Sequence, residues 1–128
     1  ISRNTKTNDY ILQIAYMLRK NGSDNVRNKL KLLSYTNQEV NDIWLLIHMT
    51  RPAEVIKNLP SFKNLQKNSN LSSSQVNQWG KINSNRYIPQ LWNWKLSVTA
   101  KDAISKGYGG KGIGDYMRDE EEKLFLSN

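Results

Sequence analysis

Apolar residues recur along the first half of the chain at the spacing of amphipathic helices. Between Asp9 and Lys20 they share one helical face, formed by Ile11, Ile14, Ala15 and Leu18. Asn21 and Gly22 tolerate the left-handed backbone that ends helices, so the pattern predicts a helix over 9–20. A second helix is expected to begin at a capping Ser23 and to bury Val26, Leu30 and Leu33.

Two further helices are predicted from their start signals. Thr36 and Glu39 have the spacing of a capping box, and the stripe Val40, Ile43, Trp44 and Ile47 follows it. Pro52 suits a first helical position, and the stripe after it is Ala53, Val55, Ile56 and Leu59. Pro60 is expected to stop or redirect that helix.

The periodic signal weakens over 62–85, which is rich in Ser and Asn. This segment is either a flexible hinge or contains a short helix, capped within 72–74 and carrying Val76 and Trp79. Further along, Thr99 and Asp102 form a weaker capping box for a helix that Gly107 ends. Ile113, Met117, Leu124 and Phe125 predict a last helix, on which the acidic run 119–122 is expected to be solvated.

No segment alternates as a strand does, and no internal repeat is present, so the predicted fold is all-α, a compact array of short helices. We expect a helical body-like region over 1–60, a polar connection over 61–85 and a tail-like helical region over 86–128. At 128 residues the chain is one domain or a piece of a larger protein.

The charge balance points toward polyanionic partners. Nineteen Lys and Arg against 11 Asp and Glu leave a formal net charge of +8. Such a surface attracts nucleic acid, although it also serves solubility alone. The chain contains no cysteine, no apolar run of membrane-spanning length and no signal-peptide pattern, so a soluble, cytoplasmic protein without membrane contact is expected.

Catalytic and metal-binding patterns are weak. His48 is the single histidine, and without cysteine it lacks partners for a typical zinc site, so a structural role is expected. No G-x-S-x-G or Walker A motif is present, and no strand leads into the glycine-rich stretch as dinucleotide binding requires. We therefore predict no catalytic residue, metal or cofactor on this chain.

The strongest local signal is a glycine-rich turn that leads into the last helix. Gly109, Gly110, Gly112 and Gly114 fall within six residues, with Lys106, Lys111 and Arg118 nearby. Helix N-termini bind phosphate, and glycine lets a backbone approach a ligand closely. The alternative is that these glycines only permit close helix packing. The aromatics Tyr87, Trp92 and Trp94 either stack on exposed bases or belong to the core.

The same residues resemble the C-terminal region of the tRNA nucleotidyltransferases, the CCA-adding enzymes related to poly(A) polymerases. The likeness is carried by Val98 to Ala103 ("VTAKDA"), by Gly107, Gly110, Ile113 and Gly114, and by Met117, Arg118 and the glutamates 120–122. Ala100 and Ala103 replace a glycine and a larger apolar residue usual there, and the usual turn proline is missing. A looser likeness to the helical body lies at 30–34 and 37–40.

The resemblance implies that this chain holds tRNA, or another folded RNA, by its backbone. The family's catalytic head has a G-S segment followed by D-x-D and would need Mg²⁺. This sequence has no G-S followed by D-x-D, so a nucleotidyltransferase domain, if the protein has one, would lie upstream as a partner of this region. The predicted RNA-contacting residues are Arg86, Lys101, Lys106, Gly109, Gly110, Lys111, Gly112, Gly114 and Arg118. Two alternatives are a helix-hairpin-helix-like module on the DNA backbone and a helical adaptor for other proteins.

Overall fold

The computed structural model describes residues 9–21 and 23–127, and within them every regular element is helical. The helices are α1 (Tyr10–Leu18), α2 (Ser23–Leu32), α3 (Asn37–Met49), α4 (Pro52–Ile56), α5 (Leu59–Lys67), α6 (Ser73–Ile82), α7 (Tyr87–Asn93), α8 (Ala100–Ser105) and α9 (Lys111–Leu126). A 3₁₀ turn, Arg19–Asn21, follows α1. The all-α prediction is confirmed.

Helix α3 is the centre of the array because α1 and α2 both pack against it. Its residues Ile43, Leu46, Ile47 and Met49 are fully buried. Seven of its 13 residues are buried, which keeps this helix at the core. The remaining helices pair in chain order: α6 packs on α7 and α8 on α9, while α9 also reaches α5.

The predicted capping boxes are present. At α3, the Thr36 hydroxyl accepts a hydrogen bond from the Glu39 backbone N–H, and the Glu39 carboxylate accepts from the Thr36 N–H. Thr99 and Asp102 make the same reciprocal pair at α8. These bonds satisfy backbone donors that a helix start otherwise leaves unpaired, which fixes both helix boundaries.

The Ser- and Asn-rich segment folds as helix instead of a hinge. Ser72 caps α6 in a third capping box, and Val76 and Trp79 are fully buried. The Trp79 indole N–H donates to the carbonyl oxygen of Leu46 at 2.7 Å, which joins α6 to α3. Residues 61–85 thus contribute to the same core as the helices on either side, while the three-region division of the chain stays a prediction.

Pro60 redirects the chain, one of the two outcomes expected from it. Helix α4 ends at Ile56, and a new helix, α5, begins at Leu59 with Pro60 in its first turn and Asn58 as its capping residue. Pro60 fits there because first-turn N–H groups lack intrahelical acceptors.

Two predictions at the boundary between α1 and α2 fall outside what the structure describes. Gly22, the predicted end of the first helix, is not among the described residues, and the side chain of Ser23, the predicted cap of the second helix, is not described.

Two burial predictions are wrong. Leu33 is 66% exposed, because α2 ends at Leu32 and the chain turns through Ser34 at a φ of 65°. The acidic run 119–122 is not wholly solvated, because Glu121 is completely buried. Its carboxylate accepts hydrogen bonds from the Trp94 indole N–H at 3.0 Å and from the backbone N–H groups of Ser97 and Val98 at 2.6 and 2.7 Å.

Helix α7 is held at its C-terminal end by a lysine from α5. The Lys63 ammonium donates to the carbonyl oxygens of Leu91 and Trp92 at 2.7 and 2.9 Å and to the Gln66 side chain at 3.0 Å. Burial lowers the pKa of Lys63 to about 8. Three acceptors match the three N–H donors of the charged form, so this cation stabilises the negative end of α7.

Candidate nucleic-acid interface

The glycine-rich stretch forms the connection between α8 and α9. Gly107 and Gly110 adopt φ values of +92° and +57°, a region that side-chain-bearing residues rarely occupy. The Gly107 N–H donates to the Ile104 carbonyl as α8 ends, and the Gly112 N–H donates to Gly109 as α9 begins. These two glycines are therefore required for the turn itself.

No positive φ requires glycine at Gly109, Gly112 or Gly114. A Cβ at Gly109 or Gly114 would meet no atom within 4 Å, and one at Gly112 would make an ordinary contact with Tyr108 at 3.4 Å. Close packing against this chain therefore does not explain them. Gly114 in particular lies inside α9, where glycine destabilises a helix by about 1 kcal/mol relative to alanine.

The start of α9 presents positive charge. No side chain in the described part of the chain caps α9, and its first turn carries the positive end of the helix dipole. The Gly112 and Ile113 N–H groups there donate to the carbonyl oxygens of Gly109 and Gly110 at 3.1 and 3.2 Å. Lys111 is the first residue of α9, and it is exposed together with Lys101 and Lys106 of the α8 region. Arg118 lies two turns into α9 and forms an ion pair with Asp115, so its charge is partly compensated.

A cleft of about 450 Å³ opens beside this turn. Gly110, Lys111, Gly114 and Arg118 line one side of it. Asn58 and Pro60, at the start of α5, line it as well. Because α9 packs on α5, tertiary structure brings the two helix starts together, and the sequence offers no signal for this pairing.

Arg86 lies apart from that cleft. It precedes α7 and lines a second cleft with Gly80, Lys81 and Pro89, between α6 and α7. Its guanidinium carbon lies 5.3 Å from the ring centre of Tyr87, a cation–π pair on the surface. The structure thus separates the predicted RNA-contacting residues into a main group at the α8–α9 turn and a single arginine elsewhere.

The aromatic residues near α7 divide between surface and core. Trp92 is 8% exposed and belongs to the core, and Trp94 packs against that core with its indole on Glu121. Tyr87 is 39% exposed and remains accessible. Base stacking by Trp92 is therefore inconsistent with its burial, whereas the Arg86–Tyr87 pair presents a flat, cationic surface.

Within the described residues, no three histidine or acidic side chains gather as a metal site, and no helix has the length and apolarity needed to cross a bilayer. His48 stacks on Trp44 with ring centres 4.8 Å apart, inside α3. Comparison of the chain with protein-family models, curated proteins and solved structures found no match in any of the three.

Proposed function

We propose that this chain binds the sugar–phosphate backbone of a folded RNA at the α8–α9 turn, as the RNA-holding tail of a CCA-adding-type tRNA nucleotidyltransferase. The single observation that carries the proposal is that Gly109 and Gly114 are exposed and that a Cβ at either position would meet no atom of the rest of the fold within 4 Å. A glycine at an open position near a helix start carries no side chain that would keep a phosphate away from the backbone.

The electrostatic arrangement supports the same partner. The start of α9 combines the positive end of the helix dipole with Lys111, and the nearby Lys106 and Lys101 extend the positive surface along α8. Contacts of this kind neutralise phosphates without reading base identity, so the RNA would be recognised largely by shape. The adjoining cleft, which Asn58 and Gly114 both line, offers room for the backbone to pass.

The decisive experiment compares binding of the chain to a folded tRNA and to a duplex DNA of equal charge, at about 50 to 200 mM salt. Three variants accompany it: Gly114→Ala, Lys111→Glu and, as the matched charge control, Lys29→Glu on α2. Lys29 is also exposed but lies on a helix that packs on α3. Gly114→Ala should stabilise the fold, because its methyl group meets nothing and alanine favours helix.

The proposal expects tRNA to bind more tightly than DNA, with affinity falling as salt rises. Lys111→Glu should weaken binding more than Lys29→Glu does, and Gly114→Ala should weaken it despite the more stable fold. Equal loss in the two lysine variants would refute a site at the turn. Equal affinity for DNA would favour the DNA-backbone module, and no binding to either ligand would favour a protein adaptor.

A further inference from the structure

The turn between α8 and α9 exposes an aromatic ring that binding to phosphates alone does not use. Tyr108 is 47% exposed, and Ile104, near the end of α8, is 59% exposed. Two exposed lysines flank the ring in the sequence, since Lys106 precedes Tyr108 by two residues and Lys111 follows it by three. Single exposed apolar residues are ordinary on a protein surface. An aromatic ring between lysines, however, matches a nucleotide, which combines a flat base with a charged phosphate.

The backbone of Tyr108 is fixed by the way in which α8 ends. The Tyr108 N–H donates to the carbonyl oxygen of Ala103 at 3.1 Å, and the Gly107 N–H donates to that of Ile104 at 3.0 Å. These two hydrogen bonds, with Gly107 at a φ of +92°, form a Schellman motif. Because Ala103 is fully buried, they anchor Tyr108 to an interior residue of α8.

The side chain of Tyr108 lies against the first two turns of α9. Its ring centre is 4.9 Å from that of Tyr116, and the two ring planes are inclined by 36°. A Cβ at Gly112 would lie 3.4 Å from Tyr108 Cδ1, so this side of the ring is close to the start of the helix. A ring that is already supported loses little freedom when a ligand stacks on its accessible part, and such preorganisation favours affinity.

We propose that Tyr108 stacks on one unpaired base of the bound RNA, while Lys106 and Lys111 contact the phosphates next to that nucleotide. This role of Tyr108 rests on the proposed function, and it names the kind of RNA site that the turn holds: a bulge, a loop or a strand end instead of a continuous duplex. Unpaired bases can be splayed out and stacked on aromatic side chains, whereas bases within a helix stack on one another. Every base has a flat π face, so the contact adds affinity without selecting one base.

The test uses two RNA duplexes that differ in a single base. Each has blunt ends and one bulged nucleotide, which carries adenine in the first duplex and is abasic in the second, so their phosphate charge is identical. The chain should bind the adenine duplex about 5- to 150-fold more tightly, the range that stacking of a base on an aromatic side chain gives.

Three variants assign this preference to the ring. Tyr108→Leu should bind the two duplexes equally, and Tyr108→Phe should keep the preference because it keeps the ring. Tyr10→Leu is the matched control, because Tyr10 is 54% exposed but lies on α1, and this variant should retain the preference.

The outcomes separate stacking from backbone binding. Equal affinity of the unaltered chain for the two duplexes, with binding that still falls with salt and in Lys111→Glu, would overturn stacking and leave the backbone site intact. A preference that survives in Tyr108→Leu, or that Tyr10→Leu loses to the same extent, would overturn the role of Tyr108. Failure of both duplexes and of tRNA to bind would refute the backbone site and stacking together.

Discussion

The Glu121 carboxylate accepts hydrogen bonds from the segment that leads into α8. Replacing Glu121 should therefore lower the free energy of unfolding by more than replacing an exposed acidic residue of the same run would. Glu121→Gln preserves shape and lets one oxygen keep the backbone N–H groups of Ser97 and Val98. The NH₂ group of the glutamine then faces the Trp94 indole N–H. Both groups are donors, so the hydrogen bond that Glu121 Oε2 accepted from the indole at 3.0 Å is lost. Losing a charge-assisted bond and leaving its donor unpaired costs about 2 to 3 kcal/mol.

Urea unfolding measures this free energy, with Glu122→Gln as the control that makes the same charge change one residue away. Glu122 is only partly buried, and its substitution should alter stability by no more than about 0.5 kcal/mol. A double-mutant cycle with Trp94→Phe isolates the Trp94–Glu121 bond, because phenylalanine keeps an aromatic ring next to Phe125 and removes the opposing donor. The coupling should be about 1 kcal/mol. Equal effects of the two glutamine variants, or additive effects in the cycle, would refute the reasoning.

Three further outcomes are expected. Trp79→Phe should lower the free energy of unfolding by about 1 to 3 kcal/mol, because it removes the buried bond between α6 and α3; a smaller loss in a calorimetric scan would contradict that. Gly110→Ala should cost about 1 to 3 kcal/mol in urea unfolding, since its φ of +57° with a ψ of −130° is a glycine conformation. Hydrogen bonds lower the pKa of Glu39, chiefly from the Tyr10 hydroxyl, and that of Asp102, from the Thr99 backbone. Their contribution to stability is present above their unfolded pKa values near 4 and is lost as pH falls through the lower folded values. Glu39→Gln should reduce this acid sensitivity, and an unchanged pH profile would argue against the hydrogen bonds of Glu39 as its source.

The proposed site was only partly accessible to sequence reasoning. The glycine turn, its lysines and the helix that follows are local features, so their positions along the chain follow from glycine chemistry and helix periodicity. The cleft beside the turn needs Asn58 and Pro60, which reach it only because α9 packs against α5. Arg86, predicted for the same surface, lies instead between α6 and α7.

The sequence by itself determined where α3 and α8 begin, because capping is a contact between residues three apart. Thr36 with Glu39 and Thr99 with Asp102 act as their spacing predicts, and Ser72 caps α6, one of the two alternatives that the sequence left open for that segment. Tertiary structure alone decided which of several similar residues is buried. The acidic residues 119–122 form one run in the sequence, yet only Glu121 meets the donors of Trp94 and the following segment. Burial of a charge depends on partners from another part of the chain, and helical periodicity does not encode where those partners lie.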